Sequence, residues 1–118
     1  MKTNKILNLA LCEGRHEIPQ ATDGNIFKSI TNVTETKTLE KIAFSRLWGI
    51  CYAKGYTTQS EEDAFALYIA NDIQLNLYVT GLTVALIAAL NVCRENNIKV
   101  TLYHFDRETN TYFAQEVK

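Results

Sequence analysis

Thr80-Gly81-Leu82-Thr83 is the segment of this sequence best suited to hold a ligand. A glycine lets backbone approach a bound group closely, and the free N–H groups of a helix N-terminus favour an anion. The two threonine hydroxyls add hydrogen-bond donors. A strand–turn–helix junction of this composition could therefore cradle a phosphate. Capping of a purely structural helix explains the same residue types, so both interpretations stay open.

Arginines and histidines elsewhere in the chain could act on such an anion. Arg15 or Arg107 could supply positive charge, while His16 or His104 could donate a hydrogen bond or help move a proton. Simpler roles compete with these, because Arg107 also suits a solvated hairpin and His104 also suits a satisfied core position. The predicted ligand-binding residues are Arg15, His16, Thr80, Gly81, Leu82, Thr83, His104 and Arg107, and no catalytic residue is assigned.

Metal and cofactor chemistry has no support in the sequence. It contains no GxGxxG, P-loop, GxSxG or HExxH motif. Glu61-Glu62-Asp63 suits the first turn of a helix better than a metal site. Cys12, Cys51 and Cys93 are odd in number and far apart, so they predict neither a zinc site nor a disulfide framework. We therefore expect no metal and no cofactor.

Strands and helices alternate along the chain. Alternating apolar and polar residues predict four strands, the last two joined as a hairpin, at 5–11, 73–79, 98–105 and 111–117. Helical spacing of apolar residues predicts a helix over 36–54, and Ser60 followed by three acids predicts a short helix over about 61–70. A run that is apolar almost all round predicts a third helix over 82–96, beginning at Leu82 or Val84. Asp23-Gly24 predicts a turn. Residues 25–33 show no dominant period, although Ile26, Phe27 and Ile30 need burial.

Capping residues predict where the two longer helices begin and end. Thr36 or Thr38 is expected to cap the first helix, and Lys54 followed by Gly55 is expected to close it. Asn96-Asn97 suits a left-handed C-cap at the end of the helix over 82–96.

The unit over 73–104 is strand–helix–strand, which almost always joins two parallel strands by a right-handed crossover. If the strand at 5–11 runs parallel to them, three strand ends meet at one edge, where open α/β sheets bind ligands. That edge would collect the predicted ligand-binding residues. We therefore predict a single α/β domain over 1–118, with a small Rossmann-like, mostly parallel sheet, a C-terminal β-hairpin and about three helices.

The composition is that of an ordinary globular protein. Of the 118 residues, 47% are hydrophobic and 21% are charged, and the formal net charge is -1. This balance disfavours nonspecific binding to nucleic acid, which needs a basic excess. The longest mostly apolar run, 82–93, is too short to cross a bilayer, and the short apolar run after Met1 indicates a strand rather than a signal peptide. We expect a cytoplasmic protein with no membrane partner.

Alternate positions of two central strands predict an amphipathic sheet face, made of Gln74, Asn76, Tyr78, Lys99, Thr101 and Tyr103. Such a face suits an interface better than a dry core. We expect a homodimer or a higher homo-oligomer, which would also suit a symmetric cyclic ligand contacted by one 80–83 turn from each subunit. The alternative is a monomer in which residues 17–35 fold over this face.

Leu77-Tyr78-Val79-Thr80-Gly81-Leu82-Thr83 leads into an apolar helix and then into Val100-Thr101-Leu102-Tyr103. Over roughly residues 73–105, this order of elements resembles the small CRISPR-associated Rossmann-like domains. The resemblance implies binding of a cyclic oligonucleotide messenger in antiviral defence, and some of those domains also cleave the messenger as ring nucleases. It carries no catalytic residue over to this chain beyond the 80–83 turn.

The sequence thus predicts that this protein binds a small nucleotide-like anion and acts as a sensor, a sponge or a metal-independent ring nuclease. A ring nuclease would hold a ribose 2′-hydroxyl in line with the adjacent phosphate, with Arg15 or Arg107 stabilising charge and His16 assisting proton transfer. The alternative is a non-enzymatic interaction protein, such as a phage inhibitor of a host defence protein, that binds its partner through the amphipathic face.

Overall fold

The structure, a computed structural model, describes residues 5–12, 18–27, 35–56, 73–79 and 83–117. In chain order its elements are β1 (Lys5–Cys12), β2 (Asn25–Phe27), α1 (Thr36–Ala53), β3 (Ile73–Tyr78), α2 (Thr83–Glu95), β4 (Lys99–Asp106) and β5 (Thr111–Val117). The predicted α/β class and the C-terminal hairpin are confirmed. The described residues hold two helices rather than about three, and the helix predicted over 61–70 lies outside them.

One five-stranded sheet contains all of these strands, in the order β2-β1-β3-β4-β5. The first four strands are parallel, and β5 is antiparallel to β4. The crossovers β2–α1–β3 and β3–α2–β4 step in the same direction across the sheet. Right-handed crossovers that step in one direction place their helices on one face, and α1 and α2 pack against each other there.

The core lies between that face of the sheet and the two helices. Its strand side consists of alternate, buried residues of the three central strands: Leu7, Leu9, Leu11, Ile73, Leu75, Leu77, Val100 and Leu102. Helix α2 meets them with small side chains, Ala85, Ala88 and Ala89, each fully buried. Small residues let a helix approach its neighbours closely. Neither α1 nor α2 is long and apolar enough to cross a membrane.

Both helices end in the same hydrogen-bonded motif. Gly55 and Asn97, just past the two helices, adopt φ of 75° and 55°. The N–H of the following residue donates to the carbonyl of Cys51 in α1 and of Cys93 in α2, each at 2.8 Å. A left-handed residue followed by this bond is the Schellman C-cap. The expected helix closures at Gly55 and Asn97 are therefore confirmed.

The start of α1 differs from the expectation. Its N-cap is Glu35, which is extended and makes no side-chain capping hydrogen bond. Thr36 and Thr38 already lie inside the first turn, where their hydroxyls cannot serve as the cap. The predicted threonine cap is therefore wrong.

The segment that ends in β2 is fixed to β1 by Asp23. Its N–H donates to the Asn8 carbonyl at 2.9 Å, and its Oδ2 accepts the Asn8 N–H at 2.8 Å. Its Oδ1 accepts from Lys54 Nζ at the end of α1, also at 2.9 Å. Gly24, the second residue of the predicted turn, has a φ of 105°. Residues 25–27 thereby join the sheet as an edge strand rather than folding over the amphipathic face.

Candidate functional site

Three parallel strands end at one edge of the sheet. Ala10 of β1 pairs with Tyr78 of β3, which pairs with Tyr103 of β4. We call the ends of β1, β3 and β4, with the turn after β4, the carboxyl edge. The parallel order on which the predicted site depends is confirmed.

The strand order reverses between β1 and β3. The strand that follows β1 in the chain, β2, lies on its outer side, whereas β3 leads through α2 to β4 on the opposite side. Adjacent strands whose connections leave in opposite directions form a topological switch point. In open α/β sheets, ligands bind in the crevice outside the carboxyl ends of such strands. The carboxyl ends of β1 and β3 are therefore the candidate site.

Five of the predicted ligand-binding residues lie outside the described residues: Arg15, His16, Thr80, Gly81 and Leu82. Thr83 is the first residue of α2 and is exposed. Just after the end of β3, the Val79 N–H donates to the Tyr103 carbonyl at 3.0 Å. The pairing of β3 with β4 thus continues up to the carboxyl edge.

His104 has local partners on β5. Its Nε2 lies 2.8 Å from Oε1 of Gln115, and its ring stacks on Phe113 with centroids 5.2 Å apart. An amide oxygen can only accept, so Nε2 is the donor. The side chain is half-buried on the helix-covered side of β4. The satisfied structural role is therefore the one that these contacts support, and they occupy one of the two ring nitrogens.

Arg107 is an exposed cation at the carboxyl edge, in the turn after β4. Asp106 builds this turn, because its Oδ1 accepts the Glu108 N–H at 3.0 Å and its Oδ2 accepts from the Thr109 hydroxyl at 3.1 Å. Among the described residues, no ion pair with Arg107 is present. Thr83 begins the helix that follows β3, whereas His104 and Arg107 lie near and after the end of β4. No hydrogen bond links the side chains of these three described residues.

Four aromatic rings gather beside the same edge, on the sheet face that α1 and α2 leave uncovered. Tyr78 and Tyr103 stack with centroids 4.8 Å apart, and Tyr112 meets Tyr78 edge-on at 5.1 Å. Phe105 packs against Tyr112 at 5.3 Å and is 47% exposed. Burial, then the neighbouring Tyr103 and Tyr112, raises the pKa of Tyr78. We call these four residues the aromatic cluster.

The sequence pattern placed Tyr78 and Tyr103 on one amphipathic face and did not group Phe105 and Tyr112 with them. The signal that could have joined them is the strand register, which sets Tyr78 opposite Tyr103 and Phe105 opposite Tyr112. Only the spacing of Tyr103 and Phe105 on one strand is visible in the sequence.

Polar side chains continue the same sheet face away from the aromatic cluster. Asn76 Nδ2 donates to Asn8 Oδ1 at 3.0 Å, and Gln74 Nε2 donates to Asn76 Oδ1 at 3.2 Å and to Thr101 Oγ1 at 3.0 Å. Half-buried amides satisfy one another across three strands in this way. We call the sheet face that holds this polar network, the aromatic cluster and Ile6 the uncovered face, because neither α1 nor α2 covers it.

The buried cysteines are not reactive groups. Burial raises the pKa of the Cys51 thiol to about 11 and that of Cys93 to about 12. The nucleophilic form of cysteine is the thiolate, so both act as small core residues. Within the described part of the chain, no group of histidine, cysteine and acidic residues could hold a metal ion.

Comparison of the chain with protein-family models, with curated proteins and with solved structures finds no match in any of the three.

Proposed function

We propose that the protein binds a small nucleotide-like anion at the carboxyl ends of β1 and β3. The observation that carries this proposal is the reversal of strand order between them, because this is where open α/β sheets bind ligands. The exposed Arg107 guanidinium at the same edge supplies a cation that can pair with a phosphate in two hydrogen bonds.

The aromatic cluster favours a nucleotide over a simple anion. A nucleotide offers a planar base as well as a phosphate, and base–aromatic stacking contributes about 1–3 kcal/mol per base. Phe105, with nearly half of its surface free, is the ring of the cluster most open to such stacking. A ligand that spans Arg107 and Phe105 would use both groups of the carboxyl edge.

The resemblance to CRISPR-associated Rossmann-like domains extends the proposal to a cyclic oligonucleotide messenger. The protein would then act as a sensor or sponge, or as a metal-independent ring nuclease if it turns the messenger over. No described side chain is assigned as the base or the acid of that step, since His16 and Arg15 lie outside the described residues.

Calorimetric titration with cyclic tetraadenylate, ATP, adenosine and pyrophosphate tests the proposal. Arg107→Gln should weaken binding of the phosphate-bearing probes by about tenfold or more, since a hydrogen bond to a charged group contributes about 1.5–3 kcal/mol. Phe105→Ala should weaken ATP by about fivefold or more while leaving pyrophosphate unchanged. Lys99→Gln is the matched control, because Lys99 is an exposed cation at the other end of β4.

Absence of binding by every probe would reject the proposal. If Arg107→Gln and Lys99→Gln weakened binding equally, the loss of affinity would follow from the change in overall charge. The carboxyl edge would then be rejected as the binding site.

A second candidate function is a non-enzymatic interaction module that binds a protein through the uncovered face. The observation in its favour is that Ile6 and Phe105 on this face are 39% and 47% exposed beside half-buried tyrosines. Exposed apolar residues with tyrosine are typical of protein interfaces. Under this function, Ile6→Lys should abolish capture of the partner, whereas nucleotide binding at the carboxyl edge should be unaffected.

A further inference from the structure

The outer edge of β5 is a regular strand without a partner among the described residues. Among the five described strands, β5 pairs with β4 alone and lies at the end of the order. Six of its seven residues are exposed, and the other is half-buried. An extended edge strand presents a row of free N–H and C=O groups, which is a template for another strand.

β5 has few of the features that usually protect an edge, since its single charged residue is Glu116. It is seven residues long, Thr-Tyr-Phe-Ala-Gln-Glu-Val, with no proline and no lysine. Its pairing with β4 runs without a bulge from Thr111 opposite Asp106 to Val117 opposite Val100. Natural sheets shorten, charge or bulge such strands to prevent pairing with other chains. An edge left in this state is suited to pairing.

We propose that β5 pairs with β5 of a second copy of this chain, antiparallel and centred on Ala114, so that one continuous sheet runs through both subunits. In this register all seven residues of the strand are paired. The small Ala114 side chain faces its own copy at the two-fold axis. The one charged residue of the strand, Glu116, faces Tyr112 of the partner subunit, whose phenol can donate to the carboxylate.

The exposed apolar side chains of β5 support a second copy rather than an unrelated strand. Phe113 and Val117 share one face of β5 and are 54% and 39% exposed. In the proposed register Phe113 lies diagonally across from Phe113 and from Val117 of the partner subunit. Diagonal neighbours on adjacent antiparallel strands are within reach of aromatic side chains. Phe113 and Val117, the two large apolar residues on this face of the strand, would thus cover each other across the axis.

The uncovered face is the rival interface, and fewer of its groups lack a contact partner. Its amides already bond to one another, and all four of its rings already stack or meet edge-on. The β5 edge, by contrast, would gain about six to eight backbone hydrogen bonds in an antiparallel pair of this length.

The proposed dimer also places the two candidate ligand sites. A two-fold axis normal to the sheet reverses every strand of the second copy. The two carboxyl edges therefore lie at opposite ends of the joined sheet, and no ligand bridges them. Each subunit would bind its own ligand, in contrast to the shared cyclic ligand considered from the sequence.

Light scattering of the full chain at micromolar concentrations tests the interface. The wild type should have the mass of a dimer. Phe113→Lys should be a monomer, because it places two like charges diagonally across the axis and removes the apolar contact. Phe105→Lys is the matched control, since it introduces the same charge at a similarly exposed phenylalanine on the uncovered face, and it should stay dimeric.

Cross-linking of Ala114→Cys provides a second measurement that does not depend on Phe113. Directly opposed residues have Cα atoms about 4.5–5.5 Å apart, which suits a disulfide. Mild oxidation should give a covalent dimer from Ala114→Cys and not from Glu108→Cys in the exposed turn. If Phe113→Lys fails to fold, the Ala114→Cys cross-link decides whether β5 forms the dimer interface.

A monomeric wild type, a dimer that survives Phe113→Lys, or a dimer lost only in Phe105→Lys would each overturn the proposal. Failure of Ala114→Cys to cross-link above the level of Glu108→Cys would also overturn it.

Discussion

The two edges of the sheet are built in opposite ways. β2 has three residues, and Ile26 and Phe27 are both 2% exposed. Contacts from outside the sheet hold it: Asp23 bonds to β1 and to Lys54, and Arg46 Nε on α1 donates to the Asn25 carbonyl at 2.9 Å. β5 is more than twice as long and is held almost entirely by its hairpin partner. An edge strand is thus secured either by tertiary burial, as in β2, or by local pairing, as in β5.

The largest expected contrast between the edges is between Phe27 and Phe113. Phe27→Ala should lower the free energy of unfolding by about 3–5 kcal/mol, because it leaves a cavity in the core. Phe113→Ala should cost about 1 kcal/mol or less, because half of the ring is already in water. Urea unfolding at protein concentrations low enough to keep the chain monomeric measures both.

Equal losses from Phe27→Ala and Phe113→Ala would break the comparison, because β5 would then be as deeply anchored as β2. If Phe113→Ala lowered the free energy of unfolding only at high protein concentration, the comparison would instead be sharpened. The Phe113 ring would then stabilise the dimer rather than the subunit.

A smaller contrast is expected between two aspartates, one beside each edge strand. Asp23→Ala should cost about 1.5–3 kcal/mol, because the half-buried Asn8 N–H loses a charged acceptor. Asp106→Ala should cost about 0.5–1 kcal/mol, because the N–H and hydroxyl that it accepts from are exposed and can turn to water.

Thermal or urea unfolding measures this pair, and Asp23→Asn is the control that separates charge from hydrogen bonding. Asn keeps an acceptor for the Asn8 N–H, so it should cost less than Asp23→Ala. A larger loss from Asp106→Ala than from Asp23→Ala would contradict the assignment of tertiary anchoring to the β2 edge.

The smallest expected effect comes from the ion pair between Lys54 and Asp23. The hydrogen bond to Asp23 raises the pKa of Lys54 above its ordinary 10.5. A raised lysine pKa means that the folded state holds the proton more tightly, so its contribution is present below pH 10.5 and is lost as the pH rises past it. Lys54→Met should cost less than about 1 kcal/mol, since the ion pair lies at the surface with the lysine side chain partly exposed.

Unfolding free energies of wild type and Lys54→Met, compared at neutral pH and well above pH 10.5, measure this contribution. The difference should shrink at the higher pH. Lys41→Met, an exposed lysine on the same helix, should show no such change. A difference that persists at alkaline pH would mean that the Lys54 chain, rather than its charge, supports the β2 edge.

Residue patterns in the sequence determined most of the local structure of the described chain. Alternation fixed β1, β3 and β4, because each has one face in the core and one outside it, which gives a period of two. Gly55 and Asn97 marked both helix ends, because few other residues adopt a positive φ without strain. The polar alternate residues of β3 and β4 also indicated that the sheet is not covered by these helices on both faces.

Tertiary structure alone decided the edges and the grouping of side chains. β2 is too short to show a period, and it is a strand because Asp23, Gly24 and Arg46 hold it beside β1. The partners of His104 and the aromatic cluster depend on strand register, which no residue pattern within one strand encodes. Locating the candidate site at the carboxyl edge required both the sequence and the tertiary structure. The sequence supplied the residues that follow the strands, and the strand order decided that β1 and β3 are neighbours, because sheet pairing joins segments that are far apart in the chain.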